Sequence, residues 1–270
     1  MPNLLLSLVT FVAYVLLAFY YLHAQTRGEC DARCKGVVGH LSLIPIALHG
    51  YLLWQGIFSG GGVDLNVYNA LSLIAWLTLM VYWLARFFYP IGSLQALVLP
   101  IAAVTLLLPG VFPSDHQLFH TDMLAFKLHI AAAMLAYSLF TIATLHAVLI
   151  WLVEQRLRQA TLPRLLRSLP PLLTMEGLLF RMISMGFILL SLTLVSGVIF
   201  SEEIFGKVFQ INHKAVFGFL SWCVFAILLY GHRFYGWRGK IAVRWTVSGF
   251  IFLILGYLGS KFVLEVMLHR

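Results

Sequence analysis

Charge is scarce in this chain of 270 residues: only 10% are Asp, Glu, Lys or Arg, while 61% are apolar. An average soluble domain carries about 25% charged and roughly 45–50% apolar residues. So little charge cannot cover the surface of a water-soluble fold of this size, which excludes ordinary soluble enzymes and disordered regulators. Cysteine is almost as rare. Cys30, Cys34 and Cys223 form neither C-x-x-C nor C-x-x-C-H, so no thioredoxin-like redox pair and no covalent c-type haem attachment is signalled. Cys30 and Cys34 have no nearby histidine to complete a zinc site. Carboxylates are missing from the middle of every apolar run. Asp64, Asp115, Asp122, Glu176, Glu202, Glu203 and Glu265 all fall near run ends, which disfavours a proton-coupled transporter.

What the chain has is long apolar runs. Eight helices are expected at about 3–23, 37–58, 67–86, 92–112, 123–153, 177–200, 212–231 and 242–268, since a bilayer crossing takes about 20 apolar residues. The first run lacks a basic flank and a cleavage motif, so it reads as a retained helix. The expected fold is an all-α polytopic membrane protein, a single helical bundle over residues 1–270. The basic loop at 154–176 is expected to be cytoplasmic, to lie against anionic lipid, and to mark a seam between five helices and three.

The net charge of +8 reports topology. The connections at 24–36, 86–91, 154–176 and 232–244 hold twelve Lys and Arg; the N-terminus and the connections at 59–66, 113–122 and 201–211 hold only Lys207. By the positive-inside rule both termini lie outside the cytoplasm, on the periplasmic side of a bacterial inner membrane. The same count removes nucleic acid as a partner, because the basic residues form no compact stripe. It also places Cys30 and Cys34 on the reducing side, against a disulfide.

Ten histidines against ten carboxylates is the unusual balance. His23, His40, His146 and His232 fall near cytoplasmic helix ends. His116, His120, His129, His213 and His269 fall near the outer face, and His49 near mid-membrane. A histidine at a helix end is commonly only interfacial, which is the reading for His23, His40, His116, His120 and His146. His129 and His213 are the functional candidates, each beside a cation, Lys127 and Lys214. Haem suits this set: imidazoles bind its iron, aromatic apolar surroundings suit its macrocycle, and cations pair with its propionates.

Several segments carry a family resemblance. They are Asp64-Leu-Asn-Val-Tyr-Asn-Ala-Leu with Ile74-Ala-Trp, Lys127-Leu-His-Ile through Ala136-Tyr137, and Asn212-His-Lys through Ser221-Trp222. Gly236-Trp-Arg-Gly and Tyr257-Leu-Gly-Ser through Leu268-His269 complete the set. Over residues 40–270 they resemble the cytochrome c assembly and haem-handling membrane proteins of the CcsA/HemX type, most closely the smaller HemX-like branch. The resemblance implies haem b carried through the membrane or held at its outer face, with other maturation proteins as partners. His129 becomes the first outer axial ligand and His269 the second, with His213 as a further metal-ligand candidate. The family's inner ligand falls at Tyr230, two residues before His232, and His49 joins the cofactor-binding candidates. The family's tryptophan-rich outer loop is absent, and residues 201–214 stand in its place. No catalytic residue is nominated. Two functions are expected to compete: a haem-handling protein that assists cytochrome c biogenesis, and a non-catalytic membrane accessory that controls another membrane protein.

Overall fold

The computed structural model describes residues 2–27, 37–58, 63–89, 95–112, 117–118, 124–159, 169, 171–205 and 213–259. In chain order the helices are α1 (Pro2–Thr26), α2 (Val37–Leu41), α3 (Leu43–Phe58), α4 (Val67–Ala85) and α5 (Gln95–Val111). They continue with α6 (Leu124–Arg158), α7 (Leu172–Phe205), α8 (His213–Tyr235) and α9 (Gly239–Ile254), which runs on as a π-helical turn to Gly259. A two-residue antiparallel ladder pairs β1 (Val63–Asp64) with β2 (Gln117–Leu118). The chain is an all-α polytopic membrane protein. Among the described residues seven helical segments are long and apolar enough to cross a bilayer. The eighth, α5, has 17 residues and so spans only about 25 Å.

The expected second helix is two pieces. Pro45 has no N–H to offer the carbonyl of Leu41, and the Ser42 hydroxyl donates to the Gly39 carbonyl at 2.7 Å. The start of α4 is built by side chains. Asn66 caps it by accepting from the Asn69 N–H at 2.8 Å, and Asp64 in turn accepts from the Asn66 N–H at 3.2 Å. This explains why Asp64-Leu-Asn-Val-Tyr-Asn has its form: it is a capping device.

The chain divides into two compact units, residues 1–119 with 156–171 and residues 120–155 with 172–270. The sequence placed the seam in the basic stretch 154–176, after the fifth run. The packing instead joins α6 to α7–α9, because α6 buries its apolar residues against those three helices. Arg156 and Arg158 extend α6 beyond its apolar part, and α7 begins at Leu172, five residues before the apolar run suggested.

In the first unit α1 buries Thr10, Tyr14, Ala18 and Tyr21 at helical spacing and exposes Leu5, Leu8, Val12, Leu16 and Phe19 on its other side. An apolar face of that extent is a liability in water. In a bilayer it meets hydrocarbon. The second unit is held by an aromatic stack. Phe140 of α6 lies on Phe225 of α8 with ring centroids 4.0 Å apart. Glycines close the stack on both sides: a Cβ at Gly186 of α7 would lie 3.1 Å from Phe140, and one at Gly249 of α9 would lie 2.8 Å from Phe225. Small residues let helices approach where the hydrophobic effect between them is absent. Hydrogen bonds reinforce the same contacts. Ser221 donates to the Gly249 carbonyl, Trp222 Nε1 to Ser191 Oγ and Tyr137 to the Leu253 carbonyl, each at 2.8 Å.

Candidate functional site

His129 sits in the second turn of α6 and leans on the C-terminal part of α7. Its Nδ1 is 2.7 Å from Ser196 Oγ, and the Ser196 hydroxyl proton is directed to the Leu192 carbonyl, also at 2.7 Å. With that proton committed, the serine oxygen accepts from His129 Nδ1–H. In that arrangement the imidazole proton lies on Nδ1 and the bond to Ser196 fixes the orientation of the ring. The next residue on α7 makes room for the ring: a Cβ at Gly197 would lie 3.6 Å from His129 Cε1. Phe126 stacks with the imidazole at 6.4 Å between centroids.

Cations flank the ends of these helices. Lys127 is exposed on the first turn of α6. Lys214 opens α8, and its ammonium lies 5.8 Å from the centroid of Tyr257 at the end of α9, within cation–π range. His213 begins α8; its side chain lies outside the described residues, as do His269, His116, His120, Cys30 and Cys34. The structure therefore brings His129, Ser196, Lys214 and Tyr257 to the ends of the helices of one unit. Ser196 and Gly197 were missed from sequence. The available signal was a Ser-Gly pair inside an otherwise apolar run.

His232 has a structural task at the opposite end of α8. It stacks on Phe180 with centroids 3.4 Å apart, and its Nδ1–H donates to the Trp237 carbonyl at 2.9 Å. That carbonyl belongs to the Gly236-Trp-Arg-Gly turn, where Gly236 and Gly239 adopt φ of 65° and 52°, a region that L side chains avoid. Trp237 folds back against Gly231, where a Cβ would collide with the indole ring. The Gly239 N–H donates to Glu176 Oε1 at 3.0 Å, so α7 caps α9. The most specific motif in the sequence is thus a corner that fixes His232.

His49 lies in the first unit and is fully buried. Its Nδ1 is 3.1 Å from the Tyr14 hydroxyl and its Nε2 is 2.9 Å from Ser72 Oγ. Both ring nitrogens are bonded, so a metal would have to displace one partner. As placed here, His49 is a polar cross-brace joining α1, α3 and α4. His146 is similarly interior, with Nδ1–H donating to the Ile142 carbonyl of its own helix at 3.3 Å.

Comparison with known proteins identifies the scaffold. The profile of the cytochrome c assembly protein family matches residues 38–268. The chain is 27% identical over 228 residues to the inner membrane protein YpjD of Escherichia coli K12, covering 84% of this chain and 86% of that protein. It is 26% identical over 257 residues to the cytochrome c biogenesis protein CcsA of Prochlorococcus marinus, covering 84% and 80%. It is 24% identical over 212 residues to protein HemX of Brevibacillus brevis, covering 77% and 78%. The chain belongs to the cytochrome c assembly protein family.

Proposed function

We propose that this protein handles haem b in the bacterial inner membrane, with both termini outside the cytoplasm, and that it assists cytochrome c biogenesis. The observation that supports the reading is the 2.7 Å hydrogen bond between His129 Nδ1 and Ser196 Oγ, which orients an imidazole near the end of a membrane-spanning helix. The donor set suits haem: a neutral imidazole with its tautomer held, an aromatic neighbour in Phe126, and cations in Lys127 and Lys214 for the propionates. His129, with His213 or His269, would hold the haem iron. Bound haem supplies the redox-active iron and the macrocycle to be delivered. The chain's own contribution would be to bind and orient it: Ser196 fixes the ring of His129, Gly197 leaves space beside it, and Lys127 and Lys214 would offer positive charge to the propionates. Maturation proteins that receive the haem are the expected partners.

The test is the absorbance of detergent-purified protein supplied with haem, before and after dithionite, for wild type and for a His129→Ala, His213→Ala double variant. A Soret band in the wild type that the double variant loses is the expected result. Absence of the band from the wild type overturns haem binding, and a band unchanged in the double variant removes these ligands.

A further inference from the structure

The first unit contains a cleft that the haem reading leaves unused. Its volume is about 640 Å³, within the range of small-molecule sites, which runs from about 300 to 1,000 Å³. It lies where α1 and α4 begin and where α3 and α5 end. Its polar lining consists of Ser7, His49, Gln55, Asn69 and Ser72. The apolar lining includes Leu53, Trp54, Phe58 and Leu106. None of the described lining residues carries a carboxylate, ammonium or guanidinium. The short α5 helps to form it: Pro109 and Gly110 close that helix, and a Cβ at Gly110 would meet no atom within 4 Å.

The polar groups are organised. Tyr14, His49 and Ser72 form a buried chain in which the ring bridges two hydroxyls at 3.1 and 2.9 Å. If Tyr14 donates to Nδ1, then Nε2–H donates to Ser72 Oγ and the serine proton is directed onward to an acceptor in the cleft. Gln55 Nε2 is bonded to the Tyr51 hydroxyl at 2.6 Å, whereas its buried Oε1 has no hydrogen-bond partner among the described residues. Asn69 is held by its Nδ2, which donates to the Asp64 carbonyl at 3.1 Å, and its Oδ1 lies toward Gly56. Trp54 and Phe58 are 64% and 43% exposed, so the aromatic rim is open to what would be lipid.

We propose that this cleft binds a neutral ring-shaped carbonyl lipid of the quinone class. Three features select that chemistry. The described lining residues carry no charge to neutralise phosphate headgroups or haem propionates, and burying an unpaired charge beside them is costly. A hydroxyl donor at the end of the Tyr14–His49–Ser72 chain suits a ring carbonyl, while the amide oxygens of Gln55 and Asn69 suit a ring hydroxyl of the reduced form. An aromatic rim on the lipid side lets a flat head enter while its apolar tail remains in hydrocarbon. The site lies wholly in the first unit and is independent of the His129 proposal.

The probe is ubiquinone-1, titrated into protein in nanodiscs of neutral lipid with tryptophan fluorescence as the readout. Saturable quenching is expected, and Trp54→Phe should reduce its amplitude. Gly110→Phe, which fills open space, should weaken binding at least about tenfold, and Ser72→Ala about three- to tenfold, the usual effect of one lost hydrogen bond. Haem absorbance through His129 should be the same in these variants as in the wild type. Non-saturable quenching in the wild type, or equal affinity in Gly110→Phe and Ser72→Ala, overturns the proposal. So does equal competition by oleate, which would make the cleft a general acyl-chain site. If Gly110→Phe fails to fold, Ser72→Ala decides alone.

Discussion

His49 and His129 are each a lone imidazole in an apolar helix, and each is bonded to a serine on another helix. Their surroundings separate them. His49 is fully buried with both nitrogens engaged, by Tyr14 and Ser72. His129 has its Nδ1 fixed by a serine whose own proton is committed elsewhere, it lies near a helix end, and a glycine stands beside its ring. The same residue type is therefore a brace across three helices in one unit and a serine-oriented ring near a helix end in the other. They differ in depth along the helix, which their positions in the sequence already indicate, and in the Tyr14 hydroxyl that bonds His49 from a third helix, which those positions do not reveal.

The largest expected effect comes from removing the brace. His49→Ala leaves a cavity and separates two buried hydroxyls from their partner, a loss of about 2–4 kcal/mol. A lowered thermal midpoint in detergent should accompany it, whereas His129→Ala should leave the midpoint nearly unchanged. Equal destabilisation by the two substitutions would break the comparison. Next, the glycines sharpen the contrast between packed and open backbone. Gly249→Ala drives a methyl group into Phe225 and should cost about 1–3 kcal/mol, while Gly110→Ala meets nothing and should stay within about 0.5 kcal/mol of wild type. Thermal unfolding of the two variants side by side measures the difference.

Ser196→Ala removes the hydrogen bond that sets the His129 tautomer. Haem affinity should fall about tenfold, the lower end of what second-shell changes cost a metal site, with little change in thermal midpoint. A haem titration followed at the Soret band reads this directly. The smallest effect belongs to Lys127→Gln. An exposed cation contributes at most about 1 kcal/mol, so affinity should fall a fewfold, and the difference from wild type should shrink as salt is raised.

Much of the fold was legible because bilayer crossing imposes apolar runs that solvent exposure does not. The eight expected helices appear, with half of the ends within one residue of the expected position and seven displaced by three to five, while the end expected at 268 lies outside the described residues. The displacements have local causes. Pro45 and Ser42 split the second run, and Glu176 anchors the turn at Gly239, so α7 starts earlier than its apolar stretch. Grouping was less legible: α6 joins the later helices because Gly186 and Gly249 admit the Phe140–Phe225 stack, a four-helix fit that no single run displays. At the site, histidines stand out by type, so His129 and His49 were both nominated. Ser196, Tyr14 and Ser72, which give those histidines different tasks, are ordinary polar residues separated from them by 23 to 67 positions.

The most direct test of the central claim, that His129 offers its imidazole to haem iron, is chemical rescue. His129→Gly removes the ring and leaves its space beside Gly197. In dithionite-reduced, haem-supplied protein, the variant should lose the wild-type Soret band and regain it when free imidazole is added. A His129→Gly variant whose spectrum matches the wild type without imidazole would contradict the account.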